Sequence, residues 1–284
     1  MSGRIFKNFS FFSASISFFV LAGIFIVLFL YSRESIHEFG LNFITSDTWE
    51  VGEDDEGGIF GGFIPIVGTL YATFIAMIAA TPIAMGIAIF LTEVAPSFLI
   101  KPISVSIELL AAIPSIIYGM WGLFYFAPIV QNIFGGSGMG LLTAGLVLAI
   151  MIIPFMSAIT TDSMNTTPDV LKESAYAMGA TKFEVIKDIV IPYSKAGIIG
   201  SVILALGRAL GETMAVAFLI GSVMQFPSKI TDATTSIPVL LANNFAEAED
   251  LELSSMFYLA LILFVVSFII ISTAKFYFLG RNKQ

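Results

Sequence analysis

Three ionisable side chains lie within long apolar stretches of the sequence, and they are the residues whose types and spacing suggest chemistry. They are Glu108, Arg208 and Glu212. A charge at the centre of a bilayer costs on the order of 3 kcal/mol on insertion scales, so such residues generally face the interior of a helix bundle, pair with each other or meet an ionic substrate. Arg208 and Glu212 are four residues apart, and on one helix their side chains can touch.

Arg208 has the chemistry that an anion path needs. Its guanidinium stays charged when desolvated, and its planar fork matches the oxygens of phosphate and similar anions. We therefore expect Arg208 to meet a crossing anion, and Glu212 to neutralise and orient Arg208 when the path is empty. Glu108 either stabilises the same cluster or marks a helix end near the inner interface. A purely structural ion pair between Arg208 and Glu212 is the alternative.

The elements that position these residues are expected to be membrane helices. The chain has 284 residues, of which 57% are hydrophobic and 12% charged, and its mean hydropathy is +0.94. Soluble domains carry about twice that share of charge, so the bilayer must solvate much of this surface. At about 20 apolar residues per spanning helix, the sequence predicts an all-α membrane protein with six spans in one domain, residues 1–284. The predicted spans are 9–31, 64–92, 103–130, 141–161, 197–222 and 255–278.

The basic residues predict how the spans are oriented. Ten of the 13 lysines and arginines lie in segments 1–8, 93–102, 162–196 and 275–284. By the positive-inside rule these segments are cytoplasmic, which places both termini in the cytoplasm. The first apolar stretch is longer than the core of a signal peptide and no small-residue cleavage site follows it, so we expect it to be retained as a membrane helix.

Several kinds of site are excluded by composition. The chain has no cysteine, and its single histidine is His37, so thiolate chemistry and multi-histidine metal sites are ruled out. The acidic cluster Glu53–Glu56 is flanked by glycines and is interpreted as a solvated turn, not as a divalent-metal site. The phosphate-binding pattern Gly-x4-Gly-Lys-Ser/Thr does not occur. We therefore expect no catalytic residues, no metal site, no cofactor and no nucleic-acid partner for this chain.

A motif in the basic segment 162–196 indicates a docking surface. It reads Glu173-Ser174-Ala175-Tyr176-Ala177-Met178-Gly179 and continues to Ile189-Val190-Ile191-Pro192. Small side chains allow another protein's backbone to approach closely, and glycine lets the chain turn between two short helices. This motif resembles the EAA loop of permeases from bacterial ABC importers, with Ser174 in place of an alanine and Ile191 in place of a leucine. The resemblance implies that a partner's ATP-binding subunit contacts the loop through Glu173, Ser174, Ala175, Gly179, Ile189 and Pro192.

A second resemblance concerns the charged residues. The stretch Gly207-Arg208-Ala209-Leu210-Gly211-Glu212-Thr213-Met214-Ala215-Val216 is similar to the signature of PstC-type phosphate permeases, with support from Ile107–Ser115, Tyr118-Gly119 and Gly68–Leu70. The similarity runs from about residue 60 to residue 226. It implies the type I fold of ABC importer permeases in a bacterial or archaeal cytoplasmic membrane. It also implies four kinds of partner, which are a second permease, a dimer of ATP-binding subunits holding ATP and Mg, an extracytoplasmic phosphate-binding protein and the lipid bilayer.

Three other functions were weighed against a phosphate importer. A permease for molybdate or sulfate would share the docking loop and Arg208. An autonomous secondary transporter would use the three buried charges as an ion relay and would need no docking loop. An intramembrane enzyme is disfavoured because the sequence has no His-Glu-x-x-His and no evident acid–base pair.

Overall fold

The computed structural model describes residues 2–52 and 58–279, and most of them are helical. The helices are α1 (Ser2–Tyr31), α2 (Arg33–Phe39), α3 (Asn42–Thr45), α4 (Phe63–Ile89), α5 (Ser97–Ala111), α6 (Ser115–Trp121), α7 (Ala127–Phe134), α8 (Leu141–Asn165), α9 (Asp169–Ala177), α10 (Lys182–Val185), α11 (Ile191–Leu210), α12 (Met214–Ala217), α13 (Ile237–Asn244) and α14 (Asp250–Leu279). The short strands β1 (Trp49–Glu50) and β2 (Ile59–Phe60) pair antiparallel. The predicted turn at Glu53–Glu56 lies outside the described residues.

Six helical segments in the described chain are long and apolar enough to cross a bilayer, as the sequence predicts. They are Phe9–Tyr31, Phe63–Val94, Ser115–Phe134, Leu141–Asn165, Lys182–Leu210 and Asp250–Phe276. Three of them contain a π-helical turn, at Phe90–Val94, Gly122–Phe126 and Ile186–Val190. The orientation of the termini stays a prediction, as does the single domain over residues 1–284.

The described chain forms two compact units, and the first contains Met1–Phe63 and Leu240–Val266. Its polar contacts lie where the first helix ends and the last begins. The Ser254 hydroxyl donates to the Tyr31 carbonyl over 2.9 Å and accepts from the Ser35 amide over 3.1 Å. The ring of Phe43 stacks on Tyr258 with centroids 4.6 Å apart. Hydroxyl bonds and stacked rings therefore help to hold these parts of the unit together.

The second unit contains Ile64–Val239 and Ser267–Gln284, and its core is built on small residues. Along α4 every fourth residue from Ala72 to Ala84 is an alanine that is almost completely buried. Small residues let helices approach closely in a bilayer, where packing contacts replace the hydrophobic effect. Gly145 on α8 shows how tight this packing is, because a Cβ there would lie 2.6 Å from the Ile75 side chain.

Two of the predicted spans are not single helices. The predicted span 103–130 is interrupted at Ala112–Pro114, between α5 and α6, and the predicted span 197–222 leaves the helix after Leu210. The two interruptions are joined by packing of α6 on α12, where a Cβ at Gly119 would lie 3.0 Å from the Ala215 Cα. The Tyr118 hydroxyl donates to the Leu110 carbonyl over 2.8 Å, which satisfies one acceptor freed at the end of α5.

The segment after α12 is non-helical, yet its backbone groups find partners. Carbonyls of Leu219, Asp232 and Ile230 accept from the first three amides of the α8 region, at Gly140, Leu141 and Leu142. A helix start leaves these amides without intrahelical partners. The non-helical segment therefore satisfies the start of α8 with its own carbonyls.

Candidate functional site

Arg208 lies in the last turn of α11 and is exposed on the surface of this chain. Its guanidinium carbon is 5.9 Å from the centre of the Phe155 ring on α8, within the range of a cation–π contact. It forms no ion pair with any residue that the structure describes. Its guanidinium hydrogens are therefore available to a ligand or to another subunit.

The predicted contact between Arg208 and Glu212 is wrong. That contact required one continuous helix, and α11 ends at Leu210, two residues before Glu212. The Glu212 carboxylate instead accepts a hydrogen bond from the Ala215 amide over 3.2 Å, at the start of α12. Glu212 is half-buried, so its charge is held inside the bundle by a backbone donor and not by Arg208.

Glu212 lines a small, partly open pocket that the sequence did not reveal. Three hydroxyl residues share its wall, namely Thr69 and Thr73 on α4 and Ser236 just before α13. Thr69 is satisfied, because its hydroxyl accepts from the Ile237 amide over 2.9 Å. Ser236 is 2% exposed, and its hydroxyl has no partner among the described residues. Serines are common packing residues in membrane helices, so nothing in the local sequence marks Ser236.

Glu108 lies apart from both of these residues, on α5. It lines a partly open pocket with Asp162 and Thr161 of α8. Both carboxylates are exposed on the isolated chain. Phe155, which contacts Arg208, lies about two turns of α8 before Asp162. The structure therefore distributes the three predicted charges over three places along α8 instead of gathering them in one cluster.

The docking loop, residues 162–196, contains the turn that the sequence predicts at Gly179. Gly179 has φ +90°, a left-handed conformation that a residue with a Cβ adopts at a cost. Its amide donates to the Tyr176 carbonyl over 2.9 Å, and the Ala180 amide donates to the Ala175 carbonyl over 3.0 Å. This pair of bonds is the Schellman arrangement, which satisfies carbonyls at a helix end. It ends α9 sharply.

A second capping arrangement begins the next helix two residues later. The Thr181 amide donates to the Glu184 carboxylate over 2.7 Å, and the Glu184 amide donates back to the Thr181 hydroxyl over 3.4 Å. This reciprocal pair is a capping box. From Lys182 the chain stays helical to Leu210, through the π-helical turn at Ile186–Val190. Pro192 is exposed and lies directly after this π-helical turn, inside the continuous helix, where it has no amide to donate to the preceding turn.

The residues on the exposed and buried faces of the docking loop are not all those that the sequence predicts. Glu173 and Ser174 are exposed, but Ala175 is 4% exposed and is buried within its own chain. The prediction that Ala175 belongs to the surface met by a partner is therefore wrong for this residue. Ala175 packs in a cluster with residues from three membrane helices and the loop itself, Ala88, Met164, Val185, Val190 and Ile198, and the half-buried Ile189 packs against the same cluster.

The exposed apolar residues of the loop are large ones. Met178 is 85% exposed, and Val170 and Phe183 are each 70% exposed. Sequence reasoning concentrated on the small residues and did not single these out. Exposed large apolar side chains beside polar residues are typical of protein–protein contact surfaces.

An ion pair links the docking loop to the second membrane segment. The Lys172 ammonium donates to the Glu93 carboxylate over 2.6 Å, and the two side chains are 18% and 7% exposed. Sequence reasoning missed this pair because 79 residues separate its members. Lys172 was counted only as one of several basic residues in the loop.

Comparison with known proteins identifies the family. The family described as "Binding-protein-dependent transport system inner membrane component" matches residues 84–282. Proteins named phosphate transport system permease protein PstC are 43% identical in Pasteurella multocida, with 99% of this chain and 92% of the relative covered, and 45% identical in Haemophilus influenzae, with 95% and 91% covered. A relative from Methanocaldococcus jannaschii, named as a probable PstC, is 34% identical over 88% of this chain and 85% of its own length.

Solved structures agree on the fold. A bacterial alginate ABC transporter in complex with its periplasmic protein gives a TM-score of 0.66 at 15% identity, covering 96% of this chain and 93% of that one. The inward-facing MetNI methionine ABC transporter gives 0.63 at 18% identity, covering 77% and 95%. The fold is that of type I ABC importer permeases, as predicted. The chain belongs to the family of binding-protein-dependent transport system inner membrane components and, within it, to the PstC permeases, which makes it a multi-pass protein of the inner membrane.

Proposed function

We propose that this chain is the membrane-spanning permease subunit of an ATP-driven phosphate importer. One observation carries the proposal, which is identity of 43–45% over nearly the full chain to permeases named for phosphate transport. The two features of the candidate site agree with it. One is a guanidinium in a membrane helix that has no ionic partner among the described residues, and the other is a loop with large apolar side chains on its exposed face.

Arg208 is proposed to contact the crossing phosphate. A charged side chain in a membrane segment is costly if it faces lipid. Because Arg208 is exposed on this chain, another subunit or a water-filled path must cover it. A second permease placed against this face would complete the path, so that each permease forms half of it. Glu212 and Glu108 are proposed to lie along the same path, where their negative charge limits how tightly an anion is retained.

The docking loop is proposed to receive an ATP-binding subunit. Glu173, Ser174, Gly179 and Pro192 are exposed, so they are available to a partner. Ile189 and Ala175 would support the loop through their packing within this chain. The chain itself is proposed to bind no nucleotide, no metal and no other cofactor, and ATP and Mg would be held by a dimer of partner subunits. A phosphate-binding protein would deliver its ligand on the opposite side of the membrane.

Transport follows from how these parts are connected. Closure of the ATP-binding dimer displaces the docking loop, and the helix from Lys182 to Leu210 carries this displacement toward Arg208. The rise of 1.5 Å per residue puts the two ends of this helix about 40 Å apart. Alternating access then consists of exposing Arg208 first to one side of the membrane and then to the other.

Reconstitution of the whole complex tests this function. The two permeases, the ATP-binding subunits and the binding protein are placed in vesicles, and uptake of labelled phosphate is measured with and without ATP. We expect uptake only with ATP and binding protein, and excess sulfate or molybdate should not compete. Competition by either anion at equal concentration would assign the importer to that oxyanion. Uptake by this chain alone, without ATP, would show an autonomous transporter and overturn the proposal.

A further inference from the structure

We propose that Lys172 and Glu93 are positioning residues that couple the docking loop to the second membrane helix throughout the transport cycle. The inference rests on the proposed function, because it concerns how the motion of an ATP-binding partner enters the membrane. It adds a connection to α4, beside the two covalent ones by which the docking loop continues into α8 and into the helix from Lys182 to Leu210. The docking loop would thereby move three membrane helices and not two.

The position of the pair along the chain is the first argument. Lys172 lies in α9, which is the part of the docking loop before the Gly179 turn. Glu93 lies in the π-helical turn at Phe90–Val94, which ends the second membrane segment. The 2.6 Å bond joins the two elements directly, although they are far apart in sequence.

The surroundings of the pair are the second argument. An exposed ion pair is screened by water and contributes little to positioning. This pair is mostly withdrawn from water, since Glu93 is 7% and Lys172 18% exposed, whereas the adjacent pair Lys187 and Asp188 has 65% and 63% exposure and a distance of 3.9 Å. Loss of one partner of a buried pair leaves a desolvated charge without compensation, so separation of the two elements is strongly disfavoured.

The need for such a connection is the third argument. The Gly179 turn separates α9 from the continuous helix that begins at Lys182, so α9 cannot rely on that helix alone to transmit its displacement. On the other side α9 joins α8 through the short segment Thr166–Pro168. Ala88 of α4 and Ala175 of α9 share one buried cluster. Apolar packing resists compression, and the ion pair adds resistance to separation.

The test uses the complete complex in vesicles and measures phosphate taken up per ATP hydrolysed. Lys172→Gln and Glu93→Gln should each lower this ratio at least about fivefold, the lower end of typical coupling between sites, while ATP hydrolysis stays within about twofold. The double exchange Lys172→Glu with Glu93→Lys should restore most of the ratio. Lys101→Gln, an exposed lysine on α5, is the matched control and should leave it unchanged.

Two outcomes of this experiment would overturn the inference. If the single variants lower hydrolysis and uptake in parallel, the pair only supports assembly or folding. If the ratio is unchanged, the pair has no part in coupling. Failure of the double exchange to restore a lowered ratio would count equally against it, because the role assigned to the pair depends on mutual attraction and not on either residue alone.

A distance measurement separates this inference from the proposed function. The chain has no cysteine, so spin labels can be placed at Asp169→Cys on α9 and Ile83→Cys on α4, both exposed positions outside the pair. The label distance should be the same with and without ATP in the otherwise unchanged complex, and should shift or broaden with Lys172→Gln. A distance that changes with ATP before any substitution would refute the inference. A complex that takes up no phosphate would refute the proposed function, while the label distances would still decide this point.

Discussion

The two ends of the helix from Lys182 to Leu210 differ in how fully their polar groups are satisfied within the chain. At the docking end, the turn before the helix is closed by bonds at Gly179 and Thr181, and Lys172 is paired with Glu93. At the other end, the only contact of the Arg208 guanidinium recorded within the described part of the chain is with the face of the Phe155 ring. Beyond it, Glu212 accepts one backbone bond and the buried Ser236 hydroxyl has no partner among the described residues.

This difference separates two tasks. An element that transmits displacement needs its hydrogen bonds and ion pairs to be formed within the chain. An element with unsatisfied polar groups deforms before it moves its neighbour. A site that binds a ligand transiently needs groups that the chain leaves available, since groups already paired must lose a partner before they can bind. Substitutions at the charged end should therefore affect transport far more than stability. Single substitutions at the docking end should affect local structure first.

The largest expected effect is that of Arg208→Gln. Hydrogen bonds to charged groups contribute about 1.5–3 kcal/mol each, so losing even one in the path should slow transport at least about tenfold. Labelled phosphate uptake by the complete complex measures the effect. Assembly, followed by co-purification of the other subunits, should be normal because Arg208 has no ionic partner among the described residues.

Arg208→Lys is the control for this prediction. It keeps the charge but not the planar fork, and we expect uptake between that of the wild type and that of Arg208→Gln. Uptake at the wild-type level in Arg208→Gln would show that this end of the helix does not bind the anion. The two ends of the helix would then differ in how their polar groups are satisfied but not in function.

The next effect is at Gly179, where Gly179→Trp should prevent docking. Apart from Gly179 and its two chain neighbours, no described atom lies within 4 Å of a Cβ at this position, so a large side chain would project toward a partner. We expect Gly179→Ala to retain most uptake and the tryptophan variant to lose co-purification of the ATP-binding subunit.

Equal behaviour of the two Gly179 variants would change the interpretation. If both variants lose docking, the backbone conformation of the turn determines binding of the ATP-binding subunit, and the bulk of the side chain does not. If both retain it, the partner does not approach Gly179. Membrane insertion of each variant, checked by extraction with detergent and size-exclusion chromatography, shows whether a loss is specific to docking.

The smallest effect is expected for Thr181→Ala, which removes the capping box. The loss of such a cap costs about 1 kcal/mol of helix stability. Amide exchange around residues 181–185 should accelerate several-fold in the complex, while phosphate uptake changes little because the other links of the docking end remain. Thr181→Ser keeps the hydroxyl and should exchange like the wild type. A large loss of uptake in Thr181→Ala would mean that the remaining bonds at the docking end cannot maintain transport without the capping box.

Features that depend on local sequence were predicted well. The six apolar segments follow from length and hydropathy, and the Gly179 turn follows from glycine between two helical patterns. The permease family follows from motifs of about 10–20 residues, which the comparisons with known proteins confirm. Each of these signals is complete within a short stretch of chain, so no tertiary information is needed.

Features that depend on tertiary packing were missed or wrong. The predicted contact of Arg208 with Glu212 assumed a helix through Gly211, but packing of α12 on α6 favours a break there. Ala175 was assigned to the outer surface because small residues suit docking, and the same property suits burial in a tight core. The Lys172–Glu93 pair joins two segments that sequence spacing cannot connect.

The bonds from the non-helical segment to the start of α8 have a consequence for how the permease opens. Three consecutive amides at Gly140–Leu142 are held by carbonyls between Leu219 and Asp232, so these two parts of the chain are expected to behave as one rigid cap. A gate that swings within this cap would have to break several backbone bonds at once. If the proposed second permease is present, the gate toward the binding protein should therefore form along the seam with it, where no backbone bonds need to be exchanged.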